Sequence, residues 1–117
     1  MHSEREQAAE LLERAADGYE SGRYYWTQGR YSRMVFGNQA YCSMGALAHE
    51  NGQPNGQLGR VSGAVNRAAW ALSLKVDPDG HRLRGGDAVV KFNDDPLREK
   101  QEIIDAMKLA AKDLRNG

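Results

Sequence analysis

Residues 3–22 carry the strongest structural signal of this chain, that of an alanine-rich amphipathic helix. Ser3 and Glu6 fit an S-x-x-E capping box, in which each side chain satisfies a free backbone N–H group of the first turn. The apolar residues that follow recur at helical spacing: Ala8, Leu11, Leu12, Ala15 and Tyr19. Gly22 predicts the end of the helix. Because the apolar stripe is narrow and made largely of alanine, we expect it to pack closely against one neighbouring helix.

Three further helices are predicted from similar patterns. They are expected over residues 38–48, over residues 57–73, and from Pro96 onward with Asp95 as the cap. The segment NGQPNGQ between the first two has turn-forming residues throughout. The sequence therefore predicts a mainly α fold of about four helices.

The remaining segments are predicted to be a loop and a hairpin. Residues 23–37 are rich in aromatic side chains and are interrupted by Gly29 and Gly37, so we expect a loop or a short extended segment. Residues near 81–92 are expected to pair across Gly85 and Gly86 as a small β-hairpin. The predicted architecture is one compact domain spanning residues 1–117.

The composition narrows the class of protein. At 117 residues, with 16 basic and 16 acidic side chains, the chain suits a single domain without the strong net charge of a non-specific nucleic-acid binder. A single cysteine favours a reducing cytoplasm, and we predict no membrane-spanning helix. The first predicted helix is acidic and the middle of the chain is mildly basic. Pairing within the molecule accounts for this zoning as well as a partner would.

Cys42 is the candidate for chemistry, and two interpretations stay open. A thiol near a helix N-terminus gains thiolate character, and the chain order Cys42, His81, Asn93 is that of a nucleophile, a general base and an orienting amide. Alternatively, Cys42 is a small buried residue on a close helix-packing face with Gly45 and Ala46. We favour packing, because His81 falls in a turn-rich segment.

Neither a metal nor a cofactor is predicted. His2, His49 and His81 do not have the spacing of metal ligands, and the glycines match no phosphate-binding loop. Asn93 and Asp94 stand before the last predicted helix, where such residues cap or brace more often than they transfer protons.

The segment GRYYWTQGRYSR is the candidate binding surface. Arginine interleaved with aromatic residues is typical of protein interfaces and also of single-stranded nucleic-acid sites. The predicted partner-binding residues are Arg23, Tyr24, Tyr25, Arg30, Tyr31, Arg33 and, off the stripe of its own helix, Trp70. Trp26 is expected to be mostly buried. We predict a protein partner, identity unknown, with nucleic acid as the less favoured alternative.

Three short motifs resemble those of a family of small uncharacterised proteins from actinobacteria and their phages. They are YWTQG (residues 25–29), YCSMGAL (41–47) and KFNDDP (91–96), matching W-x-x-G, C-x-x-G-A-[LI] and an aromatic residue followed by Asn-Asp. The signature positions that the resemblance implies are Trp26, Gly29, Cys42, Gly45, Ala46, Asn93 and Asp94. Phe92 stands where the family more often has Trp. The resemblance implies a mostly helical fold and no particular reaction.

These observations lead to three functional hypotheses. The first is a non-enzymatic accessory protein of the cytoplasm, such as a phage factor that binds a host protein. The second is a cysteine-dependent hydrolase that uses Cys42, His81 and Asn93. The third is a weak binder of single-stranded nucleic acid through residues 23–33.

Overall fold

The structure, a computed structural model, describes residues 3–53, 63–77 and 85–117. Within these ranges it has five helices and a three-stranded sheet, so the mainly α class is confirmed with one helix more than expected. The elements are α1 (Glu4–Ser21), β1 (Tyr25–Trp26), β2 (Ser32–Val35), β3 (Asn38–Tyr41), α2 (Ser43–Glu50), α3 (Gly63–Val76), α4 (Gly86–Asp94) and α5 (Lys100–Asn116).

Helix α1 has the predicted bounds. The Ser3 hydroxyl accepts a hydrogen bond from the backbone N–H of Glu6 at 3.1 Å, as the capping box requires. At the other end Gly22 adopts a left-handed conformation, with φ of 77°, and its N–H donates to the carbonyl of Gly18.

Helices α1, α3 and α5 pack against one another and form the main core. Helix α1 also contacts α2, so it has three helical neighbours, where its narrow stripe had suggested one. Small side chains line the facing surfaces: Ala8, Ala9, Ala15, Ala16, Ala64, Ala68, Ala69, Ala106, Ala110 and Ala111 are all buried. Because alanine lets helix backbones approach closely, a few larger buried residues such as Leu12, Leu72 and Ile103 suffice to fill the space between them.

Ion pairs at the rim of these helices join acidic residues of α1 to basic residues of α3 and α5. Arg115 donates two hydrogen bonds to the Glu13 carboxylate, at 2.9 and 2.6 Å, and these bonds lower the pKa of Glu13. Lys108 lies 2.7 Å from the Glu20 carboxylate. The acidic character of α1 is thus complemented within the molecule. Because these pairs are exposed, water and salt screen them, and each contributes little to stability.

The three-stranded sheet is formed by residues that were predicted to be a loop and the start of a helix. Its strand order is β1-β3-β2, with β1 parallel and β2 antiparallel to β3. The expected loop over 23–37 contains two strands, and residues 38–41, expected to begin a helix, form β3. Val35 and Asn38 are paired across a two-residue turn in which Phe36 and Gly37 have φ of 49° and 81°. The turn was missed because Phe-Gly lacks the Asn or Asp that usually precedes Gly in such turns.

Two helix boundaries differ from the prediction for local reasons. Helix α2 begins at Ser43, because Cys42 is extended (φ −74°, ψ 173°) and acts as its N-cap. Helix α5 begins at Lys100, where Glu99 and Glu102 form a capping box; Asp95 instead accepts a hydrogen bond from the N–H of Leu97 in the preceding turn. For α3, the expected start at residue 57 lies outside the described residues, and the helix extends to Val76.

The predicted hairpin near residues 81–92 is wrong for its second half. Residues 88–92 belong to α4, which follows Gly85 in a positive-φ conformation (φ 60°). Helical winding buries Ala88, Val89 and Asn93 on one side. Residues 81–84, the first half of the expected hairpin, lie outside the described residues.

Gly45 allows α2 to contact the strand region. A side chain there would collide with the backbone carbonyl of Tyr31, and the same carbonyl accepts a hydrogen bond from the N–H of Cys42 at 3.2 Å. The first turn of α2 therefore rests directly on the backbone that leads into β2.

We expect the substitution Gly45→Ala to destabilise the protein by about 1–3 kcal/mol, because the added methyl group meets rigid backbone. Gly86→Ala is the matched control, since its methyl group would lie 3.5 Å from the Met44 side chain, an ordinary contact. Urea unfolding of both variants measures the difference. Equal stability of the two variants would contradict the close approach of α2 to Tyr31.

Candidate functional site

The three motifs of residues 25–29, 41–47 and 91–96 meet around the side chain of Asn93. This side chain is fully buried at the end of α4, between β1 and the first turn of α2. Each of the three motifs contributes a polar residue that bonds to Asn93: Trp26, Ser43 and Asp94.

Every polar atom of the Asn93 amide is used. Oδ1 accepts hydrogen bonds from the Trp26 indole N–H at 2.7 Å, from the Ser43 backbone N–H at 2.9 Å and from the Ser43 hydroxyl at 2.7 Å. Nδ2 donates to the Thr27 carbonyl at 3.0 Å and to the Asp94 carboxylate at 2.9 Å. Oδ1 already accepts three hydrogen bonds, so it has no capacity left to accept one from the N–H of a catalytic histidine.

The loop after β1 is bonded to the residues that follow Asn93. Gln28 donates through Nε2 to the carbonyls of Asn93 at 2.9 Å and Asp95 at 2.7 Å. The N–H of Gly29 donates to the Asp94 carboxylate at 2.9 Å. Bracing of a loop and of a helix end, favoured from the sequence over acid–base chemistry, is what these contacts do.

Cys42 lies at the edge of the same cluster and is 4% exposed. Its Sγ accepts a hydrogen bond from the Gly45 N–H at 3.4 Å, as an N-cap side chain does. Burial raises the pKa of the thiol to about 11, and the nearby Asp94 carboxylate adds to this, although backbone N–H groups of Gly45 and Met44 oppose it. The net result is a protonated thiol at neutral pH.

A small open cavity of about 230 Å³ lies beside Cys42. Its lining includes Gly29, Arg30, Tyr31, Val90 and Asp94. His81 falls outside the described residues, so the predicted trio of Cys42, His81 and Asn93 is placed only in part. Among the described residues, no three His, Cys, Asp or Glu side chains form a group that could hold a metal ion.

Tyr24, predicted at the binding surface, is 4% exposed and belongs to the core. Its ring meets those of Tyr19, Tyr41 and His49 edge-on, and its hydroxyl donates to Glu50 at 2.8 Å. Burial and this contact raise the pKa of Tyr24 well above its usual range.

Arg23 braces the same region from outside. It donates to the carbonyl of Arg14 at 2.8 Å and to Glu50 at 3.3 Å, although its side chain is half exposed. It therefore joins α1 to the end of α2. The His49 ring is hydrogen-bonded to the Tyr41 hydroxyl, with 3.1 Å between the hydroxyl oxygen and Nδ1.

The other predicted partner-binding residues are exposed. Tyr25 lies on β1 and Arg33 on β2, and Arg30 and Tyr31 come just before β2, beside the cavity next to Cys42. Trp70 lies on α3 beside a groove of about 710 Å³ that Leu74 and Asp113 also line. Trp26 is partly buried, since its indole reaches Asn93.

Two exposed apolar residues of the same region were missed from the sequence. Met34 is 61% exposed on β2, and Phe36 is 99% exposed at the turn. Phe36 next to Gly37 was a signal in principle, since an aromatic residue has no packing role at a tight turn. We call the set Tyr25, Arg30, Tyr31, Arg33, Met34 and Phe36 the hairpin surface.

We expect Cys42 to react slowly with iodoacetamide at pH 7, because the thiol is buried and its thiolate forms only near pH 11. The alkylation rate should rise at least about tenfold in denaturing urea and, in the folded protein, should increase with pH up to about 11. The variant Cys42→Ser controls for reaction elsewhere. Rapid alkylation of the folded protein below pH 7 would instead support the nucleophile hypothesis.

We expect Asn93→Ala to destabilise the protein by roughly 3–5 kcal/mol, because it leaves several buried donors and acceptors without partners. Asn66→Ala, at an exposed position of α3, is the control and should change stability by less than about 0.5 kcal/mol. Urea unfolding followed by circular dichroism compares the two. A loss below about 1 kcal/mol for Asn93→Ala would show that the cluster is not a stabilising centre.

Comparison with known sequences and structures leaves the activity open. No curated protein and no solved structure matches this chain. Residues 3–113 match the family whose description reads "Family of unknown function (DUF6197)". That span contains all three motifs, and it agrees with the expected kinship to uncharacterised proteins. The chain belongs to this family of unknown function.

Proposed function

We propose that the protein is a non-enzymatic interaction protein that binds a protein partner through the hairpin surface. The proposal rests on the exposure and the backbone conformation of Phe36. Its side chain is 99% exposed, and its φ of 49° lies in a region that L-residues with bulky side chains rarely adopt.

Phe36 contributes nothing to the packing of the fold and strains its backbone. A left-handed conformation costs a residue with a β-carbon roughly 1–2 kcal/mol. An exposed aromatic residue at such a position gives up stability that Asn or Gly would provide. Strained residues of this kind are concentrated at functional sites.

The charges of the hairpin surface also favour a partner. Arg30 and Arg33 are exposed, and neither forms an ion pair with a carboxylate in the described part of the chain. No Asp or Glu occurs between Glu20 and Glu50 in the sequence. Arginine together with Tyr, Phe and Met is the composition found at the centre of protein interfaces.

The hydrolase hypothesis has weaker support. Cys42 carries a raised pKa, and the Asn93 amide is committed to structural hydrogen bonds. His81, which would be the general base of such a hydrolase, lies outside the described residues.

Single-stranded nucleic acid is the second candidate, favoured by the exposure of Tyr25, Tyr31 and Phe36 beside two arginines. The protein has no net charge to add long-range attraction. A labelled oligothymidine that gives no gel shift at low salt would remove this candidate.

The setting we propose is the cytoplasm, in an actinobacterium or in the host of an actinobacterial phage. The single cysteine supports the compartment, and the three motifs support the origin. In the described residues, no helix has the length and apolar character needed to cross a membrane.

We expect Phe36→Asn to raise the free energy of unfolding by about 1 kcal/mol, because Asn-Gly suits the turn, and to abolish partner binding. Affinity capture from a lysate of the native host cells, with quantitative mass spectrometry, compares this variant with the original protein. Leu109→Ala removes an exposed apolar side chain of α5, outside the hairpin surface, and should leave capture unchanged. Recovery of the same proteins by Phe36→Asn and by the original protein would overturn the proposal.

A further inference from the structure

Strand β2 forms one edge of the sheet, and β1 forms the other. At the opposite edge, the chain continuing from β1 is held by Asn93, which donates to the Thr27 carbonyl, and by Gln28, which donates to the backbone carbonyls of residues 93 and 95. Strand β2 pairs only on its β3 side within the described residues. It contains no proline, which would block pairing, and its one charged side chain is that of Arg33, which would repel a like-charged strand.

The hydrogen-bond pattern identifies which backbone groups point outward. In an antiparallel pair, hydrogen-bonded and non-bonded residue pairs alternate. The N–H of Cys42 bonds to the carbonyl of Tyr31, so the bonded pairs continue with Arg33 opposite Ala40 and Val35 opposite Asn38. The N–H and C=O groups of Ser32 and Met34 therefore point away from β3, toward solvent.

The two faces of this edge differ in chemistry. Pairing places Arg33, Ala40 and Tyr25 side by side on one face, and Met34 belongs to the opposite face. A strand added beside β2 would bring one set of alternate side chains next to Arg33 and the other next to Met34. The first set is best matched by carboxylates and the second by apolar side chains.

We propose that β2 receives an extended segment of a protein partner as a fourth strand, with Asp or Glu at alternate positions and apolar residues between them. This inference rests on the proposed function and specifies how the partner binds. Backbone hydrogen bonds from Ser32 and Met34 hold the segment, and Arg33 selects its charge. Phe36, at the end of the strand, is available to cover the apolar residues of the segment.

Charge argues against a second copy of this chain as the occupant. Pairing two β2 strands would bring Arg30 and Arg33 of both copies together, and residues 21–49 contain no carboxylate to offset them. An acidic segment from another protein meets the same arginines with opposite charge.

The first experiment selects randomised octapeptides, displayed on phage, against the immobilised full chain. We expect retained peptides to carry Asp or Glu at every second position with apolar residues between. Selection against Arg33→Glu should replace those acids by Lys or Arg. Failure to enrich any peptide, or enrichment of acids without alternation, would overturn the inference.

The second experiment separates the backbone from the side chain. Met34→Pro removes the outward N–H without removing a bond to β3, and proline is tolerated at such edge positions. Met34→Ala removes the side chain and keeps the N–H. Isothermal titration with the selected peptide should show at least a thirtyfold weaker Kd for Met34→Pro and at most a fivefold change for Met34→Ala.

Amide hydrogen exchange keeps the test decisive if Met34→Pro fails to fold. In the original protein, peptide binding should slow exchange at Ser32 and Met34, whose amides start unprotected, more than at Arg33 and Val35. Unchanged exchange at Ser32 and Met34 would overturn strand addition.

The remaining outcomes distinguish this inference from the proposed function. If Phe36→Asn loses the lysate partner while Met34→Pro keeps it, strand addition is wrong and the hairpin surface still binds. If neither variant changes capture, the proposal of strand addition and the proposal that the hairpin surface binds a partner are both wrong. A concentration-dependent dimer in sedimentation that Met34→Pro abolishes, or tighter binding of oligothymidine than of any peptide, also overturns the inference.

Discussion

The buried amide of Asn93 is the contact through which the sheet and the helices hold one another. Helix α4 has nine residues and is too short to be stable by itself, and three strands of two to four residues are equally unstable alone. One side chain donates to the strand region and accepts from both the strand region and α2, so each part orders the other. Aspartate cannot replace it, because a carboxylate lacks the N–H groups that reach Thr27 and Asp94.

The same cluster explains why Cys42 looks catalytic in the sequence and structural in the fold. A helix N-terminus lowers a thiol pKa only where the thiolate stays solvated enough to form. Here the backbone N–H groups of α2 do act on Sγ, but loss of water and the Asp94 carboxylate outweigh them. Proximity of a cysteine, an amide and an acid is therefore a consequence of close packing around Asn93.

Sequence reasoning predicted the parts of the fold whose signals are local. The capping box of Ser3 and the stop at Gly22 define α1 because both act within one helical turn. It failed for β3, because the Phe36-Gly37 turn that pairs this strand with β2 lacks the usual Asn or Asp. It failed for α4, because the packing of this helix against α2 and α3 overrides the local preference. Trp26, Asn93 and Asp94 of the cluster were identified but not connected, since nothing in a single sequence pairs Trp26 with Asn93. Their partners Thr27, Gln28 and Ser43 were missed. Phe36 was missed because exposure is a property of the fold.

Several contacts that stabilise the fold join residues far apart in the sequence. Their separation limits which parts of the protein can form first during synthesis. The β2–β3 pairing is local in the chain, but these short strands gain stability only when the later helices cover them. The amide oxygen that accepts from the Trp26 indole is made 67 residues later, and the arginine that donates to Glu13 is made 102 residues later. Helix α1 can meet α2 and α3 while the rest of the chain is being made, but the part of its alanine face that contacts α5 is covered only when the last 17-residue helix has been synthesised.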